Sequence, residues 1–309
     1  MSDYSFKSKH IISMRDLDRA ELDYLVETAG AIEEGRIKPD MRGKIAALLF
    51  FEPSTRTCFS FESAMKRMGG EALLMKGTGA TSVKKGESFT DTLKTIERYS
   101  DIIVIRHAIE GAARLASEVL QLPVVNAGDG ANQHPTQALL DLYSIKKTHG
   151  TLDNLKIGLV GDLRFGRTVH SLAQALASYN PEFYFVSPGF LEMPAHIKAD
   201  LTARGIKYTE VSEVEPVVPE LDIMYVTRIQ RERFADPEDY ERLKGSYIID
   251  LKTIEGAKKS MKILHPLPRV DEITVAVDSS PHAYYFDQAE NGVYMRQAIL
   301  SILMGGIQK

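Results

Sequence analysis

The chain of 309 residues has a single cysteine, Cys58. That excludes an intrachain disulfide framework and any multi-cysteine metal site, and it suits a reducing compartment. No stretch approaches the roughly 18–20 consecutive apolar residues that would cross a membrane. The first residues, MSDYSFKSKHIISM, contain charges and no apolar core of signal-peptide length. A cytoplasmic protein with no membrane partner is the resulting expectation. Basic excess is also missing. The formal net charge is −4, so no nucleic-acid partner is expected, and any anion site has to come from local placement of Arg and Lys. Internal repeats, low-complexity tracts, an HExxH pair, a Walker A loop and a Ser-His-Asp order are absent as well.

What is present is a regular alternation of short apolar runs with helical periodicity. The runs are 45–51, 71–75, 101–105, 122–126, 155–161, 183–187, 221–227, 246–250 and 261–265. Continuous apolar strands separated by helices predict an α/β fold with mainly parallel sheets covered on both faces. At roughly 100–200 residues per domain, two domains are expected. The polar link THGTLDN, followed by a fresh strand-plus-glycine unit, KIGLVGD, puts the boundary near 149. The domains are read as 1–149 and 150–290, with a last helix, 291–309, packing back on the first.

Two further helices are well marked. Cys58, Phe61, Met65 and Met68 share one helical face that ends at Gly69-Gly70. Pro135 suits a first helical position, and Leu139, Leu142 and Ile145 continue as an apolar stripe up to Gly150.

Polar chemistry collects where these elements join. In FEPSTRTCFSFE (51–62), Ser54, Thr55, Arg56 and Thr57 stand between an apolar run and a helix. A helix N-terminus offers free N–H groups and the positive dipole end, which together make an anion site. One hydroxyl would suffice for a plain cap. Three hydroxyls and a guanidinium, whose planar fork matches phosphate, exceed that need. In the segment 77–88, GTGATSVKKGES, small residues accompany two lysines in a loop pattern. Arg106 and His107 close the run DIIVI, where open α/β sheets bind ligands. His134 and Gln137 flank the helix start at Pro135 in NAGDGANQHPTQ.

GLVGDLRFGRTVHS (158–171) imitates a dinucleotide fingerprint but spaces its glycines wrongly. Its better clue is Arg167, a cation at a helix N-terminus, which is unfavourable there unless an anion lies near. Arg228 follows another apolar run, with Gln230 beyond it, and two prolines enclose Leu267 in HPLPRVDEI. A cis bond at Leu267–Pro268 is open to this segment. Together these residues describe a cleft that gathers several anionic groups and acts by orienting and polarising them, without a nucleophile or a metal.

STRT at 54–57, the Ser82/Lys85 loop, RH at 106–107, NQHPTQ at 132–137, GRTVHS at 166–171, TRIQ at 227–230 and HPLPRVDE at 265–272 resemble the aspartate carbamoyltransferase family. The resemblance runs in order through nearly the whole chain. STRT and HPTQ belong to the wider carbamoyltransferase superfamily, and HPLPR followed by DE is the form typical of the aspartate enzymes. The family implies transfer of a carbamoyl group from carbamoyl phosphate to L-aspartate, the committed step of pyrimidine synthesis, with no cofactor and no metal.

It further implies one domain per substrate, an active site in the interdomain cleft, and a homotrimer whose Ser82–Lys85 loop completes the neighbouring chain's site. A regulatory chain in a larger complex is left open. Ser54, Thr55, Arg56 and Thr57 would hold phosphate. Thr57, Arg106 and His134 would donate to the carbamoyl oxygen. Gln137 and the backbone at Leu267 and Pro268 would hold its NH₂, and Arg167, Arg228, Lys85 and Gln230 would hold aspartate. The loop SVKKGE is one residue shorter than in some members, so Lys84 competes with Lys85 for that place. The alternatives are a transferase for another amine such as ornithine, and a non-catalytic homologue.

Overall fold

The apolar runs become strands because two covered faces reward uninterrupted Val, Ile and Leu. The computed structural model describes residues 6–77, 86–229, 236, 238, 240, 241 and 245–307. The chain divides into two compact units, Met1–Tyr143 with Glu290–Lys309, and Ser144–Ala289.

In the first unit, β1 (Ile45–Phe50), β2 (Glu71–Lys76), β3 (Ile102–His107) and β4 (Val124–Asp129) form a parallel sheet in the order β2-β1-β3-β4. Its helices are α1 (Arg19–Glu33), α2 (Thr55–Arg67), α3 (Phe89–Glu97), α4 (Ala112–Val119) and the start of α5 (Pro135–His149). Ala47, Leu49, Ile103 and Ile105 pack with Leu93 of α3 and with Ala113 and Ala116 of α4. The predicted α2 face is buried through Cys58, Phe61, Met65 and Met68. Burial pushes the Cys58 thiol up, so this cysteine acts as packing.

In the second unit, β5 (Lys156–Val160), β6 (Glu182–Val186), β7 (Lys207–Val211), β8 (Ile223–Val226) and β9 (Lys262–Leu264) form a parallel sheet in the order β7-β6-β5-β8-β9. The helices α6 (Arg167–Leu176) and α7 (Ala195–Ala203) belong to this unit. Val160, Val186, Met224, Val226 and Ile263 build a core cluster there with Val218, Leu221 and Tyr285.

The structure departs from these expectations at four points. Residues 246–250 are not a sheet strand. Ile249 makes one isolated bridge to Ile273, and Ile248 beside it is exposed, so this run lacks the second cover that a sheet strand has. β7 was not among the apolar runs, because KYTEV at the sheet edge has only Tyr208 and Val211 as apolar residues. β2 is apolar but is not doubly covered: Leu73 and Leu74 are 45% and 41% exposed on this edge strand. The last helix, α8 (Tyr285–Met304), also starts six residues before the expected 291.

Candidate active site

In each unit the candidate residues leave the C-terminal ends of three adjacent parallel strands. In the first unit these are β1, β3 and β4. β1 leads to α2, whose N-cap Ser54 makes no side-chain cap hydrogen bond. The Ser54 hydroxyl is therefore not spent on the helix. Thr57 is buried, Ser54 half-buried, and Thr55 and Arg56 exposed.

Arg106, next to last in β3, sits in a nearly closed environment. Its Nε lies 3.2 Å from Glu52 Oε2. Its Nη1 donates to the Ala127 carbonyl at 3.3 Å and stands 3.5 Å from His134 Nε2. A guanidinium only donates, so Nε2 is the accepting side of that ring and Nδ1–H its donor. The Arg106 carbonyl in turn accepts from Phe51 N at 2.9 Å. The loop before α2, the end of β3 and the start of α5 are thus tied around one cation.

The 126–134 loop is shaped by a buried network. Asn126 Nδ2 donates to Asp129 Oδ1 at 2.8 Å, and Asp129 accepts the Gln133 N–H at 3.2 Å and Asn132 Nδ2 at 2.9 Å. Asp129 also accepts Gly111 N at 2.8 Å. His134 then lies buried before Pro135, and Gln137 N donates to the His134 carbonyl at 3.0 Å. Gln137 Nε2 donates to Asp141 Oδ1 at 2.9 Å, which turns Oε1 the other way. His107 plays a different part. It packs against Phe51 and Phe89 at ring separations of 5.0 and 5.3 Å, and its Nδ1 accepts Ile109 N at 2.9 Å. Burial lowers its pKa, so this histidine is structural.

In the second unit the strands are β5, β8 and β9, again adjacent. After β5, Asp162 Oδ1 accepts Phe165 N at 2.9 Å, and α6 opens on Arg167 with no side-chain cap from Gly166. Thr227, at the end of β8, accepts Asp162 N on its hydroxyl at 3.1 Å and donates its own N–H to Val160 at 2.8 Å. This stitches the turn before Arg167 to the residue before Arg228. Gly161 has φ of +113°, and a Cβ there would stand 2.2 Å from the Thr227 carbonyl oxygen. The glycine that imitated a nucleotide fingerprint is a close backbone crossing. A small cavity nearby is lined by Gly161, Thr227, Arg228, Tyr240, Tyr247 and Glu272 among others.

After β9, the Leu267–Pro268 bond is cis and Leu267 has φ of +52°. Buried His265 accepts Leu267 N on Nδ1 at 2.8 Å and donates Nε2–H to Glu272 Oε1 at 2.7 Å. Glu272 Oε2 accepts the N–H groups of Val270 and Asp271, both at 3.1 Å. Burial lowers the His265 pKa, and with Nδ1 accepting, the ring is neutral. Burial raises Glu272, but the His265 hydrogen bond and the backbone donors outweigh it, leaving the carboxyl below its ordinary value. Ser82, Lys84, Lys85 and Gln230 lie outside the described residues. The sequence did not single out Glu52, Asp129, Asp141, His265 or Glu272, all of which hold candidate groups in place.

Two domain models of the aspartate/ornithine carbamoyltransferase family match the chain. The carbamoyl-P binding domain covers residues 9–147 and the Asp/Orn binding domain residues 153–303. The aspartate carbamoyltransferase catalytic subunit of Thermococcus onnurineus is 54% identical over 307 residues, covering 98% of this chain and 99% of that protein. The M. jannaschii aspartate transcarbamoylase catalytic subunit superimposes with a TM-score of 0.89 at 51% identity, covering 96% of this chain and 98% of its own. Aspartate transcarbamoylase from Trypanosoma cruzi, in complex with carbamoyl phosphate and aspartate, gives a TM-score of 0.89 at 38% identity, with 96% of each chain covered.

Proposed function

This chain belongs to the aspartate/ornithine carbamoyltransferase family, and from that premise we propose that it condenses carbamoyl phosphate with L-aspartate to N-carbamoyl-L-aspartate and phosphate. The aspartate amine attacks the carbamoyl carbon, a tetrahedral intermediate forms, and the C–O bond to phosphate breaks. The ammonium proton passes to the departing phosphate.

The first unit takes carbamoyl phosphate. Ser54, Thr55, Arg56 and Thr57 hold the phosphate at the N-terminus of α2, where free N–H groups and the helix dipole favour an anion. The uncommitted Ser54 cap supports this. Arg106, His134 Nδ1–H and Thr57 donate to the carbamoyl oxygen, where negative charge grows during attack. A preorganised donor at such a point is worth about 10²–10³ in rate. Gln137 Oε1 and the backbone at Leu267 and Pro268 hold the NH₂. The second unit takes aspartate through Arg167 and Arg228, with Lys85 and Gln230 assisting. Holding the amine in line for attack supplies up to about 7–11 kcal/mol in the best model systems.

The observation that carries the choice of amine is the pair of arginines after neighbouring strands β5 and β8, joined through Thr227. Two cations suit a dicarboxylate and repel the side-chain ammonium of ornithine. The test is turnover of carbamoyl phosphate with L-aspartate or with L-ornithine. Ornithine turnover without aspartate turnover overturns this reading. Binding of carbamoyl phosphate with no product at any pH favours a non-catalytic homologue.

The same reading assigns the chain to the committed step of pyrimidine synthesis in the cytoplasm, and to a homotrimer in which the Ser82–Lys85 loop serves a neighbouring site. Exposed Phe59, Leu73 and Leu74 on the first unit support an interface between copies. Mixing inactive Lys85→Ala chains with inactive Arg56→Ala chains should restore activity, and failure to restore it in proven mixed assemblies rejects the shared site. The "catalytic subunit" names of the relatives support a regulatory partner.

A further inference from the structure

The last helix carries a buried arginine to which the proposed chemistry assigns no work. Arg296 is 3% exposed. Its guanidinium lies 5.0 Å over the Phe61 ring, and Nη1 donates to Ser60 Oγ at 2.9 Å. Desolvation pulls its pKa down to about 10, against the opposing influence of Asp141. Helical side chains lean toward the N-terminus of their helix, so the head group of residue 296 comes back over residue 292. That residue is glycine, and a Cβ there would stand 2.4 Å from Arg296 Nη1. Glycine is a poor choice inside a 20-residue helix. Here it makes the room that the guanidinium occupies.

The opposing influence on this cation comes from the carboxyl group of Asp141. Asp141 is fully buried on α5, one turn after Gln137, and accepts Gln137 Nε2 at 2.9 Å. A buried carboxylate stays ionised only with a compensating charge. An ionised carboxylate has no donor. A glutamine amide is nearly symmetric in shape, and its two ends differ only in what they offer. Beside an acceptor-only group it must present Nε2, and Oε1 is then presented to the opposite side.

We propose that Asp141, which accepts Gln137 Nε2, is a positioning residue that sets the Gln137 amide with Oε1 toward the carbamoyl NH₂. This rests on the reading of Gln137 as a carbamoyl contact. An oriented Oε1 favours an NH₂ donor and disfavours an acceptor or a methyl group in the same place. The device therefore acts on the carbamoyl end of the substrate and leaves the phosphate end alone.

The experiment compares dissociation constants for carbamoyl phosphate and for inorganic phosphate in Asp141→Asn. Asparagine offers either end of its amide, so the orientation of Gln137 is no longer enforced. Carbamoyl phosphate should bind about tenfold more weakly while phosphate changes by less than about twofold. Equal weakening of both ligands, or of neither, in a folded variant overturns the proposal. If Asp141→Asn fails to fold because Arg296 is left uncompensated, the double variant with Arg296→Met removes both charges and reads the same ratio. Gln137→Ala, measured in parallel, separates the two levels. An unchanged ratio in Gln137→Ala rejects the carbamoyl contact itself, and the inference with it. A changed ratio there, with a wild-type ratio in the Asp141 variants, rejects the positioning role alone.

Discussion

Arg106 Nη1, on β3, stands 3.5 Å from His134 Nε2, just before α5, with Glu52 Oε2 3.2 Å from Arg106 Nε. One guanidinium borne on β3 thus touches the loop that follows β1, the β4 backbone and the loop that follows β4. Its planar fork serves three directions at once, which an ammonium point charge does not do.

Arg106→Ala should therefore lower kcat by at least about 10²–10³, the scale of one lost preorganised donor. Arg106→Lys should recover little of it, because the lysine cannot reproduce the contacts to Glu52 and Ala127 together. Steady-state kcat with both substrates saturating, beside circular dichroism to establish folding, checks both variants. Activity within tenfold of wild type in Arg106→Ala would remove this arginine from the chemistry.

The helix caps give a second contrast. Asp18 accepts Glu21 N at 2.9 Å in a full capping box, whereas Ser54 makes no cap bond. Asp18→Ala should cost about 1 kcal/mol of stability with unchanged turnover. Ser54→Ala should cost only a few tenths in stability and should weaken carbamoyl phosphate binding about tenfold, as befits a lost hydrogen bond to a charged ligand. Urea unfolding and substrate titration of the two variants decide it. Equal losses of stability would make Ser54 an ordinary cap.

These contrasts also mark where sequence reasoning reached and where it stopped. β1, β3, β4, β5 and β8 were legible because burial on both faces demands unbroken apolar runs. The edge strand β7 was not, since KYTEV holds only two apolar residues, Tyr208 and Val211. PSTRT, Arg106, Arg167 and Arg228 were legible because polar groups stood where strands end. Glu52, Asp141 and Glu272 were not, because a carboxylate that positions another residue has no local pattern, only a partner distant in sequence or one helical turn away. Gly161 imitated a nucleotide loop because a glycine that lets two backbones cross reads the same as one that admits a phosphate.

The HPLP turn predicts an acid-sensitive stability. Burial lowers the folded-state pKa of His265 below its ordinary 6.5. As pH falls below about 6.5, the unfolded chain takes a proton that the folded chain refuses, so stability declines. Glu272, also lowered, acts in the same direction in a separate window, below its ordinary 4.5. His265→Gln keeps a donor for Glu272 and an acceptor for Leu267 N without titrating. Its loss of stability between pH 6.5 and 5 should be shallower than that of wild type, by thermal or urea unfolding. Parallel curves would show that His265 does not contribute to the acid loss.

Arg228 offers the sharpest separation of the two substrates. It follows β8 in the second unit, and Thr227 ties its strand end to the turn that carries Arg167. The groups proposed to hold the phosphate and the carbonyl, by contrast, follow β1, β3 and β4 of the first unit. Removing one of two cations from a dicarboxylate should weaken aspartate by the worth of a charge-assisted pair, while the grip on carbamoyl phosphate stays. Arg228→Ala should accordingly raise the aspartate KM at least about tenfold, the effect of a lost charged hydrogen bond, and change the carbamoyl phosphate Kd by less than about twofold. Loss of the oriented amine should lower kcat as well, because misplacement of the nucleophile forfeits part of the positioning term. Initial rates over a grid of both substrates, with direct binding of carbamoyl phosphate alone, resolve these parameters. Equal effects on the two substrates would move Arg228 out of the aspartate site and leave Arg167 as the cation to test next.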